Sequence, residues 1–379
     1  MSGNMIAKVS KTSARKIYEI LQHINITWIN EAGFEWLKSL DEIYLWVDEH
    51  AFSVHDMILI ITELKTKKLI AVIDGITKEK LESWINSLPL SVQLKIRGYS
   101  TDMNKGYRNA LDSILSHPVH SVDKFHLFQE ANRMVDDVRA LNSWLLKMSF
   151  VKADEIIATG KIPKKLTKES IKEINDASGK MNPKKLNSMK KYKEEVLQRL
   201  KADQVNPKDL KNSKWETVEY KEITLDYFLE TGYRKLFMTR EQNLSGIQKL
   251  RLNQVFAEFD YRGYLAETWT LKEDFMDAIN ARDVQEVNRI IQDCKESEHH
   301  RIQQFGRTLT NWYSGIKGYC EHSTNEFKFT NALTEGINNS CKVAKRQSHG
   351  FKNKDNYLRK IFVKCILKNT KENLFSLKF

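Results

Sequence analysis

Three acidic residues stand where acids could do more than solvate a surface. Asp48 closes the apolar run Leu-Trp-Val-Asp-Glu-His, and Asp102 follows Lys-Ile-Arg-Gly-Tyr-Ser-Thr. If the two strands are parallel neighbours, both carboxylates emerge at one edge of a sheet. Paired carboxylates repel unless cations lie between them. Magnesium prefers hard oxygen ligands and keeps waters beside one or two carboxylates, so the pair suits a metal site for phosphoryl transfer. Taken singly, each is equally an ordinary strand-end or helix-capping aspartate.

The third acid is Glu335. A helix through residues 330–346 would align Glu335, Asn338, Asn339, Lys342, Lys345 and Arg346 along one polar stripe, with Ile337, Cys341 and Ala344 on the other side. An acid heading a stripe of cations and amides suits a metal ligand beside side chains that track a phosphate backbone. The plainer alternative is a solvated helix face.

Composition agrees with a polyanionic partner. Lys and Arg total 61 against 49 Asp and Glu, a formal net charge of +12 over 379 residues. Each phosphate neutralised releases counterions, which drives binding of a basic protein to nucleic acid. Lys352, Arg359 and Lys360 near the C-terminus, and Arg15 and Lys16 near the N-terminus, are further candidates for phosphate contacts. Cys294, Cys320, Cys341 and Cys365 form no C-x-x-C pair and read as reduced thiols, which argues against a zinc ribbon or a redox motif. No run approaches the roughly 18 to 20 apolar residues that span a bilayer, and no signal peptide opens the chain. The expectation is a cytoplasmic protein with no membrane partner.

The elements that must position these acids follow from hydrophobic period. Residues 43–47, 57–64 and 69–73 are Ile-, Leu- and Val-rich runs between polar breaks and predict three sequential antiparallel strands. Leu81, Trp84, Ile85 and Leu88 predict a helix over residues 78–88, stopped by Pro89. Val92, Leu94 and Ile96 alternate with polar residues and predict a fourth strand. Tyr107, Ala110, Leu111 and Ile114 predict a second helix, and residues 119–122 a fifth strand. The order β-β-β-α-β-α-β predicts an α/β, ribonuclease H-like core: a mixed five-stranded sheet with flanking helices.

Beyond Phe125 the helical period dominates. Phe128, Ala131, Val135, Val138, Leu141 and Leu145 share one face of a long helix, and further helices are drawn over residues 250–259, 271–279 and 302–312. The expected organisation is a short N-terminal helical segment over residues 1–40 and the first part of the core over 41–130. An all-helical insertion over 131–325, with a Lys-rich stretch at 161–214, precedes core completion over 326–379, which carries the Glu335 helix. Residues 11–23, capped by Thr12 or Ser13, predict a basic helix that either reads DNA or packs on the core.

The runs Val-Asp-Glu-His-Ala-Phe at 47–52, Ser-Thr-Asp-Met-Asn-Lys-Gly-Tyr at 100–107, Val-Asp-Lys-Phe-His-Leu at 122–127 and Thr-Asn-Ala-Leu-Thr-Glu-Gly-Ile-Asn-Asn at 330–339 occur in that order. In this series the sequence resembles the ISL-three family of bacterial insertion-sequence transposases, from about Asp41 to Leu367. The resemblance implies a ribonuclease H-like fold, with Asp48, Asp102 and Glu335 as a catalytic triad binding two Mg2+ or Mn2+ ions. It implies that Asp123 and His126 match a supporting Asp-x-x-His element. Double-stranded DNA is the implied partner, as terminal inverted repeats and target, bound by a homodimer at the nucleoid. Family members also carry an N-terminal zinc module and a full helix-turn-helix. Neither is visible here, since the first strand starts at Ile43 and the first cysteine is Cys294; the expectation is either a short or truncated relative, or a helix over 11–23 that is what remains of them. Two other readings stay open: an inert DNA-binding regulator derived from such an enzyme, and a host nuclease that cuts without joining.

Overall fold

Three runs crowded with Ile, Leu and Val, β1 (Ile43–Ala51), β2 (Met57–Glu63) and β3 (Lys68–Asp74), are strands. The computed structural model describes residues 13, 15–16, 19, 26–53, 56–146, 157–159, 233–324, 327, 329, 342–343, 346 and 354–365. Glu335, Asn338, Asn339, Lys345, Lys352 and the Lys-rich stretch at 161–214 lie outside them, as does most of the helix expected over 11–23.

Helix α1 (Ile26–Lys38) precedes the sheet and packs on β3. Gly33 lets it approach: a Cβ there would lie 1.7 Å from the Ile70 carbonyl oxygen. From the same helix, the Asn30 amide accepts from Val72 N–H at 2.8 Å and donates to Val72 O at 3.1 Å. These bonds satisfy backbone groups that edge strand β3 would otherwise leave open to another chain.

Helix α2 (Lys78–Ser87) is capped by Thr77 and turns Leu81 and Ile85 inward. The strand expected from Val92 is not there. Residues Leu90–Gln93 form the single-turn helix α3, Leu94 is 54 % exposed, and β4 runs from Ile96 to Thr101. Pro89 at the N-cap presets a helical start, and the apparent alternation of Val92 and Leu94 lies on a turn, with one side chain in and the other out. Helix α4 (Lys105–Ile114) and strand β5 (Val119–Val122) complete the series.

The sheet order is β3-β2-β1-β4-β5, antiparallel between β1, β2 and β3 and parallel between β1, β4 and β5. One face holds the larger core, including Leu45, Val47, Leu59, Ile61, Tyr99 and Leu111. Trp46 packs with Leu64 and Phe329 in a second cluster. The class is α/β: a mixed five-stranded sheet with flanking helices.

The chain divides into two compact units, Met1–Leu127 with Trp312–Phe379, and Phe128–Asn311. In the sheet unit, α11 (Tyr313–His322) packs on β5. A later helix of that unit, α12, spans Lys354–Cys365. Its Lys354 Nζ is paired with Asp56 Oδ1, at 2.5 Å, and with Asp74.

Helix α5 (Lys124–Leu145) starts one residue beyond β5. The described part of the second unit is helical: α6 (Arg234–Met238), α7 (Gly246–Glu258), α8 (Tyr264–Ala281), α9 (Val284–Glu296) and α10 (His300–Asn311). There Asn142 on α5 donates to Phe259 O at 2.6 Å and accepts from Tyr261 N–H at 2.7 Å, satisfying backbone groups of a buried turn.

Candidate active site

The parallel register decides where the acids stand. Val47 lies opposite Thr101, and Thr101 lies opposite Val122. The next residues on the three strands are Asp48, Asp102 and Asp123. Two of these were expected at one edge, and Asp123 joins them because β5 ends in the same row. Asp48 does not end its strand, however. β1 continues to Ala51 against β2, with Asp48 opposite Ile60; what ends at Val47 is the parallel pairing with β4.

Alternation along β1 puts Asp48 on the face of Tyr44 and Trp46, which pack against Phe327 and Phe329. The segment before the Glu335 motif is pinned to that face. Ser100 Oγ donates to Ser121 O at 3.1 Å, Ser121 Oγ donates to Phe329 O at 2.9 Å, and Phe329 N–H donates to Ser323 Oγ at 3.1 Å.

Asp102 carries the electrostatic tension. Burial pushes its carboxyl up to about 6; His126 opposes this, while Glu49, Asp48 and Asp123 push further upward. Its Oδ1 is buried and has no hydrogen-bond partner. Asp48 Oδ1 accepts from Glu49 N–H at 2.8 Å.

Asp123 is 1 % exposed. Its N–H donates to Thr101 O at 3.3 Å, its Oδ1 accepts from Phe125 N–H at 3.3 Å, and its carbonyl accepts from His126 N–H at 3.1 Å. His126 Nε2 lies 3.9 Å from Asp123 Oδ2, beyond hydrogen-bond reach but inside strong electrostatic reach.

The donors offered at this edge are carboxylate oxygens, the hard ligands that Mg2+ and Mn2+ prefer. A buried carboxylate oxygen with no donor is a group that a divalent cation would satisfy. Among the described residues, no group of three or more His, Cys, Asp or Glu converges closely enough to hold a metal ion.

The family model for ISL-three (ISL3) transposases, described as "Transposase", matches residues 45–225 and 217–361. The chain belongs to the ISL-three family of transposases. No curated protein and no solved structure matches it. The matched span contains every acid of this transposase's sheet edge and also Glu335.

The remaining candidate residues of the transposase are dispersed. Arg15 and Lys16 are exposed and helical; Arg15 pairs with Glu19 at 3.1 Å, and Lys16 N–H donates to the capping Ser13 Oγ at 3.2 Å. Lys342 and Arg346 are also exposed and helical. Arg359 and Lys360 fall within α12, their side chains outside the described part. No helix among the described residues is long and apolar enough to cross a membrane.

Sequence reasoning missed Glu49, Asn104 and Tyr107 beside Asp102. Glu49 adjoins Asp48 in the motif, but alternation turns it to the other face of β1, so only its contacts across the sheet single it out.

Proposed function

We propose that this transposase cuts and joins DNA strands by metal-dependent phosphoryl transfer on a ribonuclease H-like core, with Asp48, Asp102 and Glu335 as its catalytic carboxylates. The observation that carries the reading is the placement of Asp48 and Asp102 one residue past the paired Val47 and Thr101 of parallel neighbours, with one Asp102 oxygen buried and unpartnered. The mixed sheet order with three parallel strands supports the core assignment.

Asp48, Asp102 and Glu335 would hold two Mg2+ or Mn2+ ions, which when bound supply Lewis acidity at the scissile phosphate. Support for Glu335 comes from Phe329. It is anchored on the Asp48 face six residues before Glu335, and six residues extend at most ~20 Å. The chemistry is an in-line displacement at phosphorus, by water in cutting and by a DNA 3′-hydroxyl in joining, with no covalent protein intermediate. The sheet's contribution is rigidity: Asp48 sits on a hydrogen-bonded strand and Asp102 directly follows one, so little reorganisation accompanies reaction. Asp123 and His126 act as supporting residues. Asp123 ties the end of β5 to the first turn of α5 through its backbone and carboxylate, and His126 supplies the imidazole that offsets the acids around Asp102.

The DNA partner is the pair of terminal inverted repeats and then the target. Contacts are assigned to Asn338, Asn339, Lys342, Lys345, Arg346, Lys352, Arg359 and Lys360, with Arg15 and Lys16 at the N-terminal end. A homodimer acting in the cytoplasm at the nucleoid is the assembly this chemistry calls for, since two element ends must be joined in concert. The test is an assay of the full chain with Mg2+ and a labelled duplex of the gene's flanking repeat. Cut ends that also appear joined to target DNA are expected. Cutting without joining would replace the transposition reading with hydrolysis alone, and no cutting would sink it.

A further inference from the structure

Glu49 points away from Asp48 by strand alternation, yet it is bound to the loop that carries Asp102. Its Oε1 accepts from the Tyr107 hydroxyl at 2.7 Å and from Asn104 Nδ2 at 3.4 Å. Tyr107, only 2 % exposed, also lies within hydrogen-bond distance of Ile76 O, at 2.9 Å. Asn104 caps α4 by accepting from Gly106 N–H at 2.8 Å, and its own N–H donates to Asp102 O at 2.8 Å. Glu49, Asn104 and Tyr107 thus clamp residues 102–107 against β1.

The charge on Glu49 is not needed for that clamp. Both donors are neutral, and a glutamine oxygen can accept from them in the same geometry. No cationic side chain forms a salt bridge to Glu49 among the described residues. A carboxylate fixed against the loop that carries another acid is a cost to the metal-free protein that a bound cation would remove.

We infer that Glu49 is a positioning residue for the divalent cation, its charge held by Tyr107 and Asn104 so that it strengthens cation binding at Asp48 and Asp102. This rests on the metal-dependent reading above. It differs from that reading in giving the site a fourth acid that acts across the strand.

The test titrates the full-length protein with Mn2+ alone at constant ionic strength, following free Mn2+ by electron paramagnetic resonance and unfolding by thermal shift. Wild type should bind saturably. Glu49→Gln, which keeps both hydrogen bonds and removes the charge, should bind about tenfold more weakly, with little change in metal-free Tm. Wild-type affinity in Glu49→Gln, with loss only in Glu49→Ala, would make Glu49 a purely structural clamp and overturn the inference. If Glu49→Gln does not fold, Tyr107→Phe carries the test: it keeps the charge but frees it to swing away, so weaker binding supports the inference and unchanged binding sinks it. Absence of saturable Mn2+ binding in wild type would fell the metal-dependent reading first, and this inference with it.

Discussion

Asp48 and Asp102 each stand one residue beyond Val47 and Thr101, an opposed pair on adjacent parallel strands. The hydrogen-bond ladder sets their spacing, and the two carboxylates share a sheet edge whatever the loops around them do. Burial raises the pKa of Asp102, and one of its oxygens is buried without a donor.

Asp102→Asn should therefore separate chemistry from folding. Cutting should fall by on the order of 10²–10³-fold or more, as when a preorganised electrostatic group is removed, while DNA affinity stays near wild type. A gel-based cutting assay run beside a binding isotherm checks both. Undiminished cutting would show that Asp102 is no part of the site.

Acid should destabilise the sheet unit through His120. Its ring is 7 % exposed and stacked on Tyr99 at 5.0 Å, and both nitrogens are buried without partners. Burial first, and then Arg108, lowers its pKa to about 4 from 6.5. A depressed folded-state pKa means that the neutral ring's contribution is complete above the unfolded value. It is lost as pH falls from about 6.5 through about 4, to a limit of roughly 3 kcal/mol at 1.36 kcal/mol per unit. His120→Leu should flatten the dependence of Tm on pH between 7 and 4. Equal slopes for the two proteins would show that His120 does not titrate in this way.

Gly318 should tolerate no side chain. A Cβ there would lie 1.9 Å from the His120 carbonyl oxygen, a backbone atom that cannot rotate aside. Gly318→Ala should lift α11 from β5 and destabilise by about 1–3 kcal/mol, visible as a lower urea midpoint. A midpoint like that of wild type would mean that the helix sits further from the strand.

Lys342 and Arg346 are exposed, and their cost on removal should be electrostatic. Each alanine substitution should lower the slope of log affinity against log salt by about 0.9 and weaken binding to all duplex sequences alike. Slopes that match wild type would assign both residues to solvation.

Much of this transposase was legible in its residues. The strand runs beginning at Ile43, Met57 and Leu69 and the helix faces through Leu81 and Tyr107 are local patterns, because side-chain period and β-branching act within a few residues. The motifs that nominate Asp48, Asp102 and Glu335 are equally local, and all lie within the family match. Where the pattern was short, it misled. Val92 to Ile96 alternates like a strand, but Pro89 starts a helical turn there, and a run of five residues cannot discriminate the two.

Other relationships waited on tertiary structure because they depend on hydrogen bonds between residues far apart in the chain. Register alone brings Asp123 into the row with Asp48 and Asp102. The ties from Ser121 to Phe329 and from Glu49 to Tyr107 join residues 208 and 58 positions apart, respectively. Residue type and spacing could nominate the acids; only the pairing of strands decided which of them share an edge, and which neighbour's charge is held against them.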